Sequence, residues 1–240
     1  LTNEGTLQFR TDEVFSIQGT SPPLAADFDT TSGTVEYVGL LGANAWASLP
    51  AGTTYFNLTF NDTADADDTW TSGATVNGAL TVSAGTYATG DADLTVAGAT
   101  SIATTLNASG QTTTTSDFNG GVSGAGTLST APNGMTVAGG LTVTTLTANG
   151  PVTIDGAGDL ALPAGYTIGN LTFAAGAGNV IASQGPLTVT TGLTLTSGTW
   201  NAGTFTHTVA GNWDSSLADF VFTESTSTIN LTAAPPTITT

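Results

Sequence analysis

The sequence predicts an all-β chain, a β-solenoid (parallel β-helix) whose short strands stack coil on coil, and three observations carry that reading. The stretch from Leu49 to Ala99 returns 113 positions later, from Leu162 to Asn212. Leu49-Pro50-Ala51-Gly52 recurs as Leu162-Pro163-Ala164-Gly165, and Asn57-Leu58-Thr59-Phe60 as Asn170-Leu171-Thr172-Phe173. About 20 positions are identical without a gap, self-similarity of the kind that marks stacked repeats. Apolar-Thr-apolar triplets form the second signal, among them Leu80-Thr81-Val82, Leu94-Thr95-Val96, Met135-Thr136-Val137, Val152-Thr153-Ile154 and Leu193-Thr194-Leu195. Each is a period-2 strand with two apolar side chains on one face and a threonine on the other. Composition is the third: about 50 threonines, 39% hydrophobic residues and only 8% charged ones suit flat strands with short polar outer faces.

Taken in order, the chain opens with two alternating runs, Thr6-Leu7-Gln8-Phe9 and Val14-Phe15-Ser16-Ile17, before Ser21-Pro22-Pro23 interrupts the pattern. Residues 1–23 therefore read as an N-terminal strand segment with a proline linker. It is either an ordinary first strand or one donated to a neighbouring subunit by strand addition. Residues 24–240 read as the solenoid, with internal repeats at 49–99 and 162–212. Turns rich in Gly and Asn, such as Asn77-Gly78, Asn149-Gly150 and Ser197-Gly198, separate the strands. Gly is too frequent for helix interiors, and no helical periodicity appears. Between Ser101 and Gly134 the pattern weakens and leaves the coil register open. A spacing of 113 residues amounts to five or six coils of ~20 residues, which would bring Tyr87 and its counterpart Trp200 to the same corner. The same spacing also matches two β-sandwich domains, the alternative architecture. Glu224-Ser225-Thr226-Ser227-Thr228-Ile229-Asn230-Leu231 repeats the Ser/Thr-turn-then-strand pattern of Thr31 to Val38, so the chain ends about where a further module would start.

Charge narrows the partners. Eighteen acids face a single cation, Arg10, for a net charge of −17. Such a surface repels phosphate backbones and anionic lipid, which argues against nucleic-acid binding and membrane-surface binding. No run reaches the ~18 apolar residues of a membrane span, so membrane insertion is not expected. Cysteine is absent, which removes disulfides and thiolate metal sites.

The module resembles a repeat of large secreted and surface-anchored bacterial β-solenoid proteins. The residues that carry the likeness are Gly33-Thr34-Val35-Glu36-Tyr37, Tyr55-Phe56-Asn57-Leu58-Thr59-Phe60, Leu193-Thr194-Leu195-Thr196-Ser197-Gly198-Thr199-Trp200 and Val209-Ala210-Gly211-Asn212-Trp213. The resemblance covers most of residues 31 to 231, with Ser101 to Gly134 departing from it, and it implies an exported adhesin, stalk or filament protein.

Reactive groups are sparse. His207 is the single histidine and takes the place of Leu94 in the other repeat, so an imidazole packed inside or lying at a groove edge is expected, and not a metal ligand. No nucleophile elbow surrounds any serine. Asp91 with Asp93 and Asp155 with Asp159 are the carboxylate pairs a glycosidase would need, yet neighbouring strand residues share a face for reasons of solvation alone. No enzyme and no obligate cofactor are expected. Asp62, Asp65, Asp67 and Asp68 cluster in one acidic stretch and offer several of the six to eight oxygens that calcium takes. Sequons occur at Asn57, Asn61, Asn107, Asn170 and Asn230. Asn57 and Asn170 are equivalent in the two repeats, which one structural requirement would explain. A solenoid exposes unpaired backbone edges at its ends. Leu7, Phe9, Val14, Phe15 and Ile17 at one end, and Ile229 and Leu231 at the other, are the apolar residues for contact between copies. The expectation is a self-assembling extracellular or cell-surface structural subunit of a filament, sheath or surface layer. The alternative is a stalk or glycan-binding segment of a larger adhesin.

Overall fold

The computed structural model describes residues 14–18, 30–38, 53–61, 74–91, 93–111, 115–162, 165–217, 219–232 and 237–240. Every ladder among them is parallel, and none of these residues is helical. That excludes the sandwich alternative, whose hairpins require antiparallel pairs, and establishes the β-solenoid.

The ladders sort into three faces. Face A runs through Val14–Gln18, Thr34–Val38, Asn57–Asn61, Leu80–Ala84 and Thr100–Ile102. Face B runs through Ala74–Val76, Leu94–Val96, Ser116–Phe118, Met135–Val137 and Val152–Ile154. Face C runs through Thr86–Ala88, Thr105–Asn107 and the second halves of Val122–Ser129 and Leu141–Thr147. The chain visits B, A and C in each coil, and Thr188–Asn201 is one strand that touches all three. Ladder partners lie from 17 residues apart (Met135 to Val152) to 25 apart (Trp213 to Ile238). Val14–Gln18 is the first described rung of face A and pairs with Thr34–Val38 of its own chain. The stretch from 101 to 134 keeps coil register where it is described, with Ser116–Phe118 paired to Leu94–Val96 on one side and Met135–Val137 on the other.

The triplets explain why the coils hold. Within face B, Val76, Val96, Phe118, Val137, Ile154 and Phe173 stand on one another in register and are buried. Outside them Thr75, Thr95, Asp117, Thr136, Thr153 and Thr172 form a rank of their own. Burying a Val, Leu or Phe stabilises the fold by about 1.5–3 kcal/mol each, and the outer hydroxyls, joined by the carboxylate of Asp117, keep the face wetted.

Polar residues also enter the inner columns. Ser116 stands in register between Leu94 and Met135 and donates its hydroxyl to Oε1 of Gln111, both residues being buried. Thr100 stands between Leu80 and Val122, and its buried Oγ1 has no hydrogen-bond partner. An unmet buried hydroxyl costs on the order of 1–3 kcal/mol. Thr100→Val keeps the shape and should therefore stabilise the protein by about 1 kcal/mol. A rise in the denaturant midpoint checks this, and an unchanged or lower midpoint refutes it.

The long repeat is not a whole number of coils. Leu58 climbs face A through Leu80, Thr100, Val122, Leu141 and Leu160, five coils, yet its counterpart Leu171 lies on face B. Tyr87 lies on face C and Trp200 on face A; Leu94 lies on face B and His207 on face C. Each matched strand has moved on by two faces, so Tyr87 and Trp200 do not share a corner. What repeats is a strand with its turn, and that unit fits any of the three faces.

Candidate functional site

The carboxylate pairs are surface features. Asp91, Asp93, Asp155 and Asp159 are exposed, and Asp159 accepts a hydrogen bond from Nε2 of Gln184 at 2.9 Å. Among the described residues no three His, Asp or Glu side chains come together as metal ligands, and no helix is long and apolar enough to cross a membrane. Asp62, Asp65, Asp67 and Asp68 lie outside the described residues, as do Leu7 and Phe9. Of Val14, Phe15 and Ile17 the backbone pairing alone is described.

The sequon asparagines have structural work. Asn57 Oδ1 accepts the Ala79 amide of the following coil at 2.8 Å, and a Cβ on Gly78 would meet that oxygen at 2.3 Å. Asn170 Oδ1 lies 3.2 Å from where a Cβ on Gly192 would be, and Gly192 corresponds to Ala79, not to Gly78, in the repeat. Both asparagines lie against the following coil. Asn61 donates to Glu36 Oε1 at 2.9 Å, Asn107 accepts from the Ser109 amide at 3.0 Å, and Asn230 is exposed in its strand.

Among the described residues, two groups of aromatic side chains collect inside the coils. Toward the N-terminal end Phe60 stacks on Tyr87 with ring centroids 4.2 Å apart, and the hydroxyls of Tyr37 and Tyr55 meet at 3.0 Å. Burial pushes the Tyr55 phenol up to about 12 and raises those of Tyr37 and Tyr87 further. At the other end Trp200, fully buried, lies 5.3 Å from Phe173, 5.0 Å from His207, 6.2 Å from Trp213 and 5.2 Å from Phe222. Tyr87 and Trp200 are both 0% exposed and cannot stack on a sugar.

His207 is packed, as its replacement of a leucine suggests, and only 1% exposed. Its Nδ1 accepts the Leu187 amide at 3.1 Å, which places the ring proton on Nε2, 2.9 Å from the Ala202 carbonyl oxygen that accepts it. Burial lowers its pKa, and the Ala202 bond opposes that shift only in part.

The last coil is different from those beneath it. Phe220 and Phe222 in Asp219–Thr223, and Ile229 and Leu231 in Thr228–Leu231, point inward by register yet are only half-buried. Both strands have a described ladder partner on one side alone. Ile229 and Leu231, singled out as assembly residues, are thus part of an apolar layer with one uncovered side. Phe220 and Phe222 join them in this layer beyond the residues expected from sequence, and their alternation in Asp219–Thr223 was the available signal.

Comparison with protein-family models, with curated proteins and with solved structures gives no match.

Proposed function

We propose that this chain is a structural building block, a rod-like subunit of an extracellular filament, sheath or surface layer that assembles through its terminal coils. The observation that carries this reading is the half-covered layer of Phe220, Phe222, Ile229 and Leu231, whose strands have no second ladder partner among the described residues. Apolar side chains in coil register, beside unpaired N–H and C=O groups, are complementary to one more parallel coil. No catalytic step is assigned to it, and the exposed aspartates serve solubility. The lysine-free chain with one arginine, offering trypsin-like proteases almost nothing to cut, favours an extracellular setting. The Asp62–Asp68 stretch is the place where calcium would bind.

A second reading is favoured by Ile238–Thr239, which continue the coil by pairing with Trp213 and Asp214. On that reading the chain is a stretch of stalk in a longer adhesin, and the next coil belongs to the same polypeptide.

Cryo-electron microscopy of the native material, with and without calcium, tests the assembly. Ordered fibres or sheets in which Thr228–Leu231 meets a coil of another subunit are expected. Dispersed monomers under all conditions would overturn subunit assembly and leave the stalk reading. Assembly should also strengthen with salt. Shortening the Debye length from about 30 Å to about 8 Å screens repulsion between chains of like charge. Light scattering that falls as salt rises would count against it.

A further inference from the structure

The two bonds of His207 place an ionisable switch inside the coil stack. Leu187, whose amide the imidazole accepts, is 2% exposed and lies one coil beneath His207. The strand that carries His207, Thr206–Val209, is the middle rung between Thr188–Val189 below and Thr228–Leu231 above. A proton on Nδ1 would replace one acceptor by a second donor facing the Leu187 N–H, with both groups out of reach of water. The bond at Nε2 survives protonation, because that nitrogen already donates.

We propose that His207 is a proton-operated latch, which holds the last two coils closed when neutral and releases them when charged.

The surroundings leave the charge nothing to lean on. Strand Thr188–Asn201, residues 202–205, residues 184–187 and strand Thr228–Leu231 carry no Asp, Glu, Lys or Arg. The aromatic neighbours are Trp200 and Phe205, with ring centroids at 5.0 and 6.3 Å. Phe222, against Trp200, belongs to a strand whose Asp219 is exposed, and Glu224 beyond it is exposed too. The sign follows from linkage. A histidine that is neutral in the closed coil and free to charge in the opened one favours opening as pH falls below about 6.5, by up to about tenfold per pH unit. His207 is the single histidine of the chain, so no second imidazole charges over this range. Acid should therefore loosen one end while leaving the other unharmed.

Amide hydrogen exchange on the intact protein between pH 7.5 and 5.5, corrected for intrinsic rates, reads this directly. Protection at Leu187, 206–209 and 228–231 should fall as pH drops, while that of 135–137 and 152–154 holds. His207→Asn offers a non-titrating acceptor to Leu187 and should abolish the pH dependence. His207→Leu, which restores the residue of the other repeat, should abolish it too. The lone imidazole gives a single set of ring signals, so its tautomer can be read in the wild type whether or not the variants fold. Terminal protection that is flat with pH, the same slope in His207→Asn, or a proton on Nδ1 at neutral pH would each overturn the latch.

Discussion

Gly156→Ala should cost about 3 kcal/mol, at the upper end of what overpacking usually costs, although it adds one methyl group at a corner of a surface coil. The ideal Cβ would fall 1.5 Å from the Ala138 carbonyl oxygen and 2.2 Å from its carbon. Both are backbone atoms of the coil beneath, so no side chain can swing aside. Relief requires the two coils to part, and the Asp155 amide bond to the Val137 carbonyl, 2.9 Å long, lies at that same corner. Gly156 does not occupy a left-handed conformation; close approach alone demands glycine here. The same corner one coil lower is filled by Ala138-Gly139, and lower still by Asn119-Gly120, Ala97-Gly98 and Asn77-Gly78. Gly169→Ala is the control: the nearest atom to its Cβ is 3.7 Å away, and its φ is ordinary. There the alanine restricts the unfolded chain and should stabilise by about 0.4–1 kcal/mol. Denaturant midpoints moving in opposite directions for the two variants are expected. Equal small effects would mean that the coils are not seated on glycine corners.

Much of this architecture was legible because its determinants are local. A triplet such as Met135-Thr136-Val137 states which side chains go in and which go out, and a following Gly states where the chain turns. Such a unit needs a neighbouring strand and little else; periodicity alone also fits two sandwiches, and the parallel ladders decide for the solenoid. The error over Tyr87 and Trp200 has the same origin. Since the unit does not know which face it occupies, 113 residues can span five coils and two further faces without a break in local pattern. Sequence similarity then reports equivalent strands and not equivalent positions around the axis. The Gln111–Ser116 pair could not be read off either. It joins a turn to a strand inside the least regular stretch, and a serine in place of Leu94 or Met135 looks like drift until its buried partner is seen. Among the candidate sites, His207 was recognisable as a packed residue from the leucine it replaces. Its two backbone bonds depend on Leu187 and Ala202 arriving from different coils, which composition does not reveal. The half-covered last coil was legible only in outline: alternation marked Ile229 and Leu231, but their partial burial is a property of the stack.

Trp200→Ala should be the most damaging truncation, at about 3–5 kcal/mol, and its damage should be local. Trp200 belongs to face A but touches Phe173 and Trp213 on face B, His207 on face C, and Phe222 in the coil above. Its Nε1 donates to Ser183 Oγ at 2.9 Å in the coil below, where Ser183 is itself buried. Removal leaves a cavity at the axis and a serine hydroxyl without its donor. Trp200→Phe keeps most of the ring and loses only the hydrogen bond, so about 1–2 kcal/mol is expected. Trp213→Ala, starting from a half-buried position, should fall below Trp200→Ala as well. A coil contacts mainly the coils next to it, so stability in such stacks is close to a sum of neighbour terms. The coils from 180 onward should then lose exchange protection in Trp200→Ala while those from 74 to 154 keep theirs, anchored by Tyr87, Phe118 and Ile154. Limited chymotrypsin digestion should show the same boundary, a resistant N-terminal portion and a susceptible C-terminal one. Equal loss along the whole chain would mean that the solenoid unfolds as a single unit, and nearest-neighbour coupling would have to be abandoned. If the local outcome holds, the terminal coils can open and close on a body that stays folded, as both the latch at His207 and coil-on-coil assembly require.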